Sequence, residues 1–421
     1  MERKIAEELD KADPLRFFRD EFLIVDPDTC YLDGNSLGRL PHSTIKAINS
    51  FMVEEWGREV VTGWSHWVDE AQSTGDLIGR SALGAAAGQV LACDTTSVNF
   101  YQLASAAIQA RPGRKTIVTD AANFPTDRYV LQGLAKTFGL HLVMIENENP
   151  SISANELITP ELLEQYLSDD VALVSLEVVQ YRAGARHDIR AINALVEKYG
   201  ALMLWDAAHA IGSVQMNFDD NGVNLAVGCT YKYGNSGPGA PAWLYVSKAM
   251  QSELRVPIQG WFAQRDQFAM GREFDREESI RGFQIASPSL MGLRCVRSSF
   301  EMIERAGIGA IEKKAAAGTA MMITLFDNWL SPLGFSLNTP RDAHKRGAHI
   351  SLVHPEAEQI AIALRQLKNV IPDYRVPNSI RVAISPLANS FAEIYEGFAR
   401  IRDLVASGDY KKVKSGLSRV T

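Results

Sequence analysis

What most restricts this chain is a repeated alternation of short apolar runs with helical stretches between about residues 85 and 250. KTIVTD (115–120) precedes the helix-like DRYVLQGLAKTFG, and HLVMIE (141–146) follows it. VALVSLEV (171–178), AINALVEKYG and ALMLWD (201–206) repeat the order, and NLAVGCTYK (224–232) and APAWLYV (240–246) come after. Strand, helix, strand repeated in this way predicts an α/β fold, a mostly parallel sheet flanked by helices on both faces. Ligands of such sheets sit beyond the carboxyl ends of the strands. The residues that close the runs therefore carry the most interest: Asp120, Glu177, Asp206 and Lys232.

A chain of 421 residues is too long for one ordinary core. After residue 295 a long helical pattern, SSFEMIERAGIGAIEKKAAAGTAMMITLFDNWL, gives way to short strands such as SIRVAIS and a last amphipathic helix. The expected organisation is a large domain over 41–295 and a smaller α+β domain over 296–421, joined by an N-terminal segment, 1–40. Forty-three basic against 50 acidic residues, with no basic block, argue against nucleic acid or an anionic membrane as partner. The charged N-terminus has no secretory pattern and no apolar stretch reaches the ~20 residues of a bilayer span, so a cytoplasmic protein is expected. Cys30, Cys93, Cys229 and Cys295 form no CxxC and no Cys/His cluster, so neither a disulfide framework nor a metal site is expected.

Several residues could carry chemistry. In WDAAHAIG (205–212) an acid closes a buried-strand pattern, with His209 three residues on. A carboxylate there can cap a turn, or it can keep a pyridine nitrogen protonated and make that ring an electron sink. In CTYKYGNSGPGAPA (229–242) Lys232 stands between Tyr231 and Tyr233, before a Gly-rich turn that lets the main chain approach a bound group. A partly desolvated amine there can form an imine with an aldehyde cofactor. Asp94 to Ser97 read as the N-cap and first turn of a helix, where free N–H groups and the hydroxyls of Thr95, Thr96 and Ser97 can hold an anion. In NFPTDRY (123–129) Phe124 can stack on a ring or pack in the core, and Asp127 can bind a ligand or cap the next helix. Arg381, inside the strand pattern SIRVAIS, can clamp a carboxylate or snorkel on a strand face.

Together with YLDGNSLGRLP (31–41), DTTSVNF (94–100), GWF (260–262) and SIRVAISPLANSF (379–391), these motifs resemble kynureninase along nearly the whole chain, in the family's order. The resemblance implies the fold-type I architecture of pyridoxal 5′-phosphate (PLP) enzymes of the class V aminotransferase superfamily. It implies Lys232 as the Schiff-base lysine, Asp206 as partner of the ring nitrogen and Phe124 as the stacking residue. Thr96, Ser97, Asp127, His209 and Tyr231 then contact the cofactor, and Trp261 and Ser287 reach the phosphate of a partner subunit in a homodimer with shared sites. Arg381 then binds the α-carboxylate of an amino-acid substrate. Asn35 and Ser36 are further substrate-side candidates, while Trp64 and His66, in GWSHWVDE (63–70), line the substrate pocket or pack a dimer interface. The implied reaction is hydrolysis of the Cβ–Cγ bond of kynurenine or 3-hydroxykynurenine to an anthranilate and L-alanine.

The chain also departs from the family. Kynureninases usually carry Ser or Thr at the position of Glu177, and Val178, Gln180, Ala263 and Gln264 replace other habitual residues. An added carboxyl group in the pocket would alter which substrates are tolerated. Alternatives are a lyase or epimerase acting on a different amino acid, or a non-catalytic PLP-binding protein. A cysteine desulfurase is disfavoured because no cysteine follows Cys295 to serve as its mobile thiol.

Overall fold

A computed structural model describes residues 2–146 and 157–414. Its centre is a seven-stranded sheet made of β1 (Val90–Ala92), β2 (Thr116–Asp120), β3 (His141–Ile145), β4 (Val171–Glu177), β5 (Leu202–Asp206), β6 (Leu225–Gly228) and β7 (Trp243–Val246). Their spatial order is β1-β7-β6-β5-β4-β2-β3, and β7 alone runs against the rest. Every residue of β4 and β5 is buried, as expected of strands covered on both faces. Helices α1 (Thr96–Gln109), α2 (Pro125–Phe138) and α3 (Ile189–Lys198) supply cover. The strand order reverses beside β2, so the crevice beyond β2, β4 and β5 is the switch point where this architecture binds ligands.

The apparently continuous helical pattern after residue 295 is two helices, α4 (Leu290–Ala306) and α5 (Ile308–Leu325). Gly307, at φ +76°, adopts the left-handed backbone that stops the first of them. Leu293, Val296 and Phe300 of α4 pack into the core of the large sheet. A second core gathers Ala315 and Met322 of α5 with Ile350, Val382, Phe398 and, from the N-terminal segment, Ala6, Cys30 and Leu32. This core lies against a four-stranded antiparallel sheet of β8 (Ser336–Leu337), β9 (His349–Val353), β10 (Asp373–Arg375) and β11 (Ser379–Ala383), ordered β10-β11-β9-β8. Helices α6 (Ala357–Lys368) and α7 (Phe391–Ser407) complete it. Among the described residues, no helix is long and apolar enough to cross a membrane.

Two ties bind the N-terminal segment to the helices of the second core. Asp13 meets Lys314 of α5 in a buried ion pair at 2.7 Å, and Asp10 accepts from the free N–H groups of Phe391 and Ala392 at the start of α7. Removing either charge of a buried pair costs about 3–5 kcal/mol, which fixes this strap firmly.

Candidate active site

A cavity of about 510 Å³ opens at the carboxyl ends of the central strands and is closed from the other side by β10, β11 and the 31–38 loop. It brings together Asn35, Ser36, Thr96, Ser97, Phe124, Asp127, Glu177, Asp206, His209, Tyr231, Lys232 and Arg381, which the sequence scatters over most of the chain.

The acids come from strand ends and the loops beside them. Parallel register sets Glu177, last in β4, beside Asp206, last in β5. Asp206 Oδ1 accepts from Ala208 N at 2.7 Å, so it does form the local turn expected of a strand-end Asp while its carboxyl still faces the cavity. Asp127 does not cap α2; it hydrogen-bonds Asp206. Burial, and then the charge of Asp206, push the Asp127 carboxyl well up, so it stays protonated and donates to its neighbour. Glu177 is likewise pushed well up by burial and by Asp206, and it accepts only weakly from Tyr181 N, at 3.3 Å. Three carboxyl groups this close cannot all ionise in a desolvated site.

Lys232 lies four residues beyond β6, on the turn that leads to the Gly-rich segment. Its Nζ is 2.9 Å from His209 Nε2 and 5.8 Å from the centre of the Phe124 ring. Burial, and then Lys232 itself, hold His209 well below the usual histidine range, so the neutral ring accepts from the amine and carries its own proton on Nδ1. That Nδ1 is buried with no hydrogen-bond partner among the described residues.

The backbone of this turn is held from the N-terminal side. Gly38 N donates to Tyr231 O at 2.8 Å. A Cβ on Gly38 would lie 2.6 Å from Asn235 Cα and would also strike Lys232 O, so only glycine lets the two segments meet. At the anion end, Thr95 rather than Asp94 is the N-cap of α1, with its hydroxyl accepting from Val98 N at 3.3 Å. The first N–H groups of α1, at Thr96 and Ser97, have no partner within the helix and face the cavity.

Arg381 is buried on β11. Its guanidinium donates to Asp373, to Tyr181 O and, at 3.1 Å, to Ser36 Oγ, and the Asn35 amide oxygen can accept from it at 3.2 Å. Tyr181 and Arg375 also line the cavity and escaped the sequence reading. Tyr181 sets its ring edge-on to Phe124 at 5.3 Å. Alternation along D-Y-R (373–375) was the available sign that Arg375 shares a face with Asp373.

Four candidates lie elsewhere. Trp64 and Ser287 line a separate apolar groove with Phe51, Trp56, Val60 and Trp67; His66 is exposed and pairs with Glu59 at 2.7 Å; and Trp261 is an exposed ring packed on Phe262. Of the five departures from the family pattern, Glu177 alone lines the cavity. Val178 and Ala263 are buried outside it, Gln180 donates to Asp120 at 2.6 Å, and Gln264 accepts from Asp275 N at 2.8 Å.

A pyridoxal phosphate fits these residues. The cavity offers an amine hydrogen-bonded to a neutral histidine, a pair of carboxyl groups sharing a proton, an aromatic face and free helix-start N–H groups.

Residues 311–401 match the family model described as "Kynureninase C-terminal domain". The kynureninase of Pseudomonas fluorescens is 33% identical over 92% of this chain and 92% of its own, and that of Geobacillus thermodenitrificans is 34% identical over 97% and 96%. Among solved structures, the apo cysteine desulfurase of Thermococcus onnurineus superposes with a TM-score of 0.77 at 18% identity, covering 95% of this chain and 98% of that one. The cystine C-S lyase C-DES does so with a TM-score of 0.77 at 15% identity, covering 90% and 98%. These likenesses show the fold, the fold-type I architecture that the motifs implied.

Proposed function

The chain belongs to the kynureninase family, and on that premise we propose that it binds pyridoxal 5′-phosphate at Lys232 and hydrolyses the Cβ–Cγ bond of kynurenine or 3-hydroxykynurenine, giving an anthranilate and L-alanine. The observation that carries this reading is the convergence of Lys232, Asp206, Phe124, the start of α1 and Arg381 on one cavity. When bound, the cofactor supplies an aldehyde for amine exchange and a protonated ring that draws electrons from the carbon bearing the amine.

The chain's own residues do the rest. Asp206, backed by the protonated Asp127, holds the proton on the ring nitrogen, and Phe124 covers the ring face. Thr96, Ser97 and their N–H groups hold the phosphate, while Tyr231 and His209 line the side from which Lys232 approaches. Lys232, the amine that would hold the cofactor, would supply the base that removes the Cα proton. Arg381, with Asn35 and Ser36, orients the substrate carboxylate, so that the γ-carbonyl is presented to water.

The active unit in this reading is a homodimer. Its support is the apolar groove that holds Trp64 and Ser287, where Trp56, Val60 and Val61 stand exposed, with Trp261 exposed as well. Trp261 and Ser287 then complete the partner's phosphate site. Sedimentation giving a monomer at micromolar concentration would remove that part.

The purified protein should carry a visible chromophore that borohydride fixes to Lys232, and should release anthranilate and alanine in equal amounts from kynurenine. A chromophore without either product refutes the hydrolase reading and keeps the cofactor. The buried Glu177 carboxyl favours a second reading, in which a different γ-keto amino acid is preferred. A substrate panel with wild type and Glu177→Thr decides between them, since an unchanged ranking would clear Glu177 of any role in specificity.

A further inference from the structure

The ion pair between Asp13 and Lys314 is buried but not sealed. It forms one wall of a second cavity, of about 490 Å³, set between the N-terminal segment, α5 and the start of α7. Lys314 keeps only 4% of its side chain exposed. An ammonium carries three N–H donors. Among the described residues Lys314 Nζ meets one acceptor, Asp13 Oδ2, while Asp13 Oδ1 accepts from Leu15 N at 2.9 Å. Burial holds this ammonium below its ordinary range, more than Asp13 and Asp10 restore. A buried cation with donors to spare, on a cavity wall, calls for a further acceptor.

The charges around the cavity do not balance either. Lys11, Arg16, Arg19 and Lys314 line it against two acids, Asp10 and Asp13, an excess of two positive charges. Asp10 is engaged by the first N–H groups of α7 and Ser390 caps the same helix, so that helix start is already filled. Arg19 shares Glu393 with Arg39. Among the described residues neither Lys11 nor Arg16 pairs with an acid; Arg16 donates to the Asp13 carbonyl at 3.1 Å and lies over the Phe17 ring.

We propose that this cavity is a binding site for a small dianionic oxyanion of the phosphate class, free or as an ester, held between Lys314 and the unpaired cations Lys11 and Arg16. The inference does not depend on the reaction proposed above. Two excess charges match a dianion, and ammonium and guanidinium groups together are the usual donors to phosphate oxygens. The walls of the cavity continue toward the catalytic site. Glu393 accepts from Arg19 at 2.6 Å, from Arg39 at 3.2 Å and from Tyr31 N at 3.0 Å, and Asn389 donates to Tyr31 O at 3.0 Å. Tyr31 leads into the loop whose Asn35 and Ser36 line the catalytic cavity. An occupied site therefore steadies the N-terminal strap and this loop together.

The test uses holoenzyme cleared of excess cofactor, which is itself a phosphate ester. Inorganic phosphate and glycerol phosphate are titrated at about pH 8, where both are dianions, with potassium chloride holding the ionic strength constant. Binding is read by calorimetry and by the thermal midpoint, which must rise with a ligand that binds the folded state. Wild type should saturate with at least one of the two, and the tighter of them tells whether the free ion or an ester is preferred. Lys11→Gln/Arg16→Gln should bind at least about tenfold more weakly, the range of one lost charge-assisted hydrogen bond. Its midpoint without phosphate should stay close to that of wild type, because both side chains are exposed. Amide exchange over residues 31–38 should slow in wild type when phosphate is added. No saturable binding of either anion by wild type, or a double variant that binds both as tightly, overturns the proposal. Unchanged exchange over 31–38 in saturated wild type refutes the link to the loop. If the double variant does not fold, Lys11→Gln alone carries the comparison, and affinity equal to wild type there also overturns the site.

Discussion

Gly38→Ala is a one-carbon change far from Lys232 in sequence, yet it should strike the site directly. The new Cβ would lie 2.6 Å from Asn235 Cα and would also strike Lys232 O. Ordinary carbon contacts begin near 3.5 Å, so the two segments must part by roughly 1 Å. Gly38 N also holds Tyr231 O at 2.8 Å, so the parting pulls on the backbone on both sides of Lys232. Overpacking of this kind costs about 1–3 kcal/mol. Moving a reacting amine by about 1 Å costs on the order of a hundredfold in rate. The expected result is therefore a modest fall in thermal midpoint with a much larger fall in kcat and a shifted visible absorbance. Gly133→Ala is the control, because that helical glycine of α2 has nothing within 4 Å of a built Cβ, and alanine there should stabilise by about 0.5–1 kcal/mol. A Gly38→Ala enzyme with wild-type midpoint and kcat would refute the argument.

Other consequences concern buried charge. His187 donates from Nδ1 to Glu177 O at 2.7 Å and accepts at Nε2 from Ile158 N, and burial lowers it to about 4. The unfolded chain takes up this proton near 6.5 and the folded one only near 4, so stability is complete above 6.5 and falls by up to roughly 3 kcal/mol as pH drops through that window. Denaturant unfolding from pH 7 to 4 should show the slope, and His187→Gln should flatten it. Asp33 runs the other way: its folded carboxyl, raised to about 7, keeps a proton that the unfolded chain loses near 3.8, so stability declines as pH rises between them. Asp33→Asn should remove that decline, and no gain over wild type at pH 8 would contradict it. Lys314→Met strands Asp13 and should cost about 3–5 kcal/mol in urea unfolding, much of which Asp13→Leu in the same chain should recover.

How far the site could be read in advance differs from residue to residue. The runs around Val171 and Leu202 announce buried strands because burial on both faces leaves a local composition that needs no partner to be recognised. The rule that ligands meet strand ends then marks Glu177 and Asp206 without any coordinates. The break at Gly307 was less legible, since one glycine inside a helical pattern reads equally as a tolerated residue or a stop. Tyr181 and Arg375 were missed because neither closes an apolar run. Their places depend on the Tyr181 O to Arg381 bond and on the register of β10 against β11, which pair distant segments.

By itself, then, the sequence determined the layered fold and the family, and singled out Lys232 and Asp206 as candidates, because these rest on periodicity and on motifs whose residues are near neighbours in the chain. Only the tertiary structure decided that Asp127 backs Asp206 instead of capping α2, that Glu177 alone of the departures faces the cavity, and that Trp64, His66, Trp261 and Ser287 stand away from it. The physical reason is common to all of these. Desolvation, proton sharing and donor availability depend on what surrounds a side chain in space, and those neighbours arrive from strands and loops that no local pattern connects.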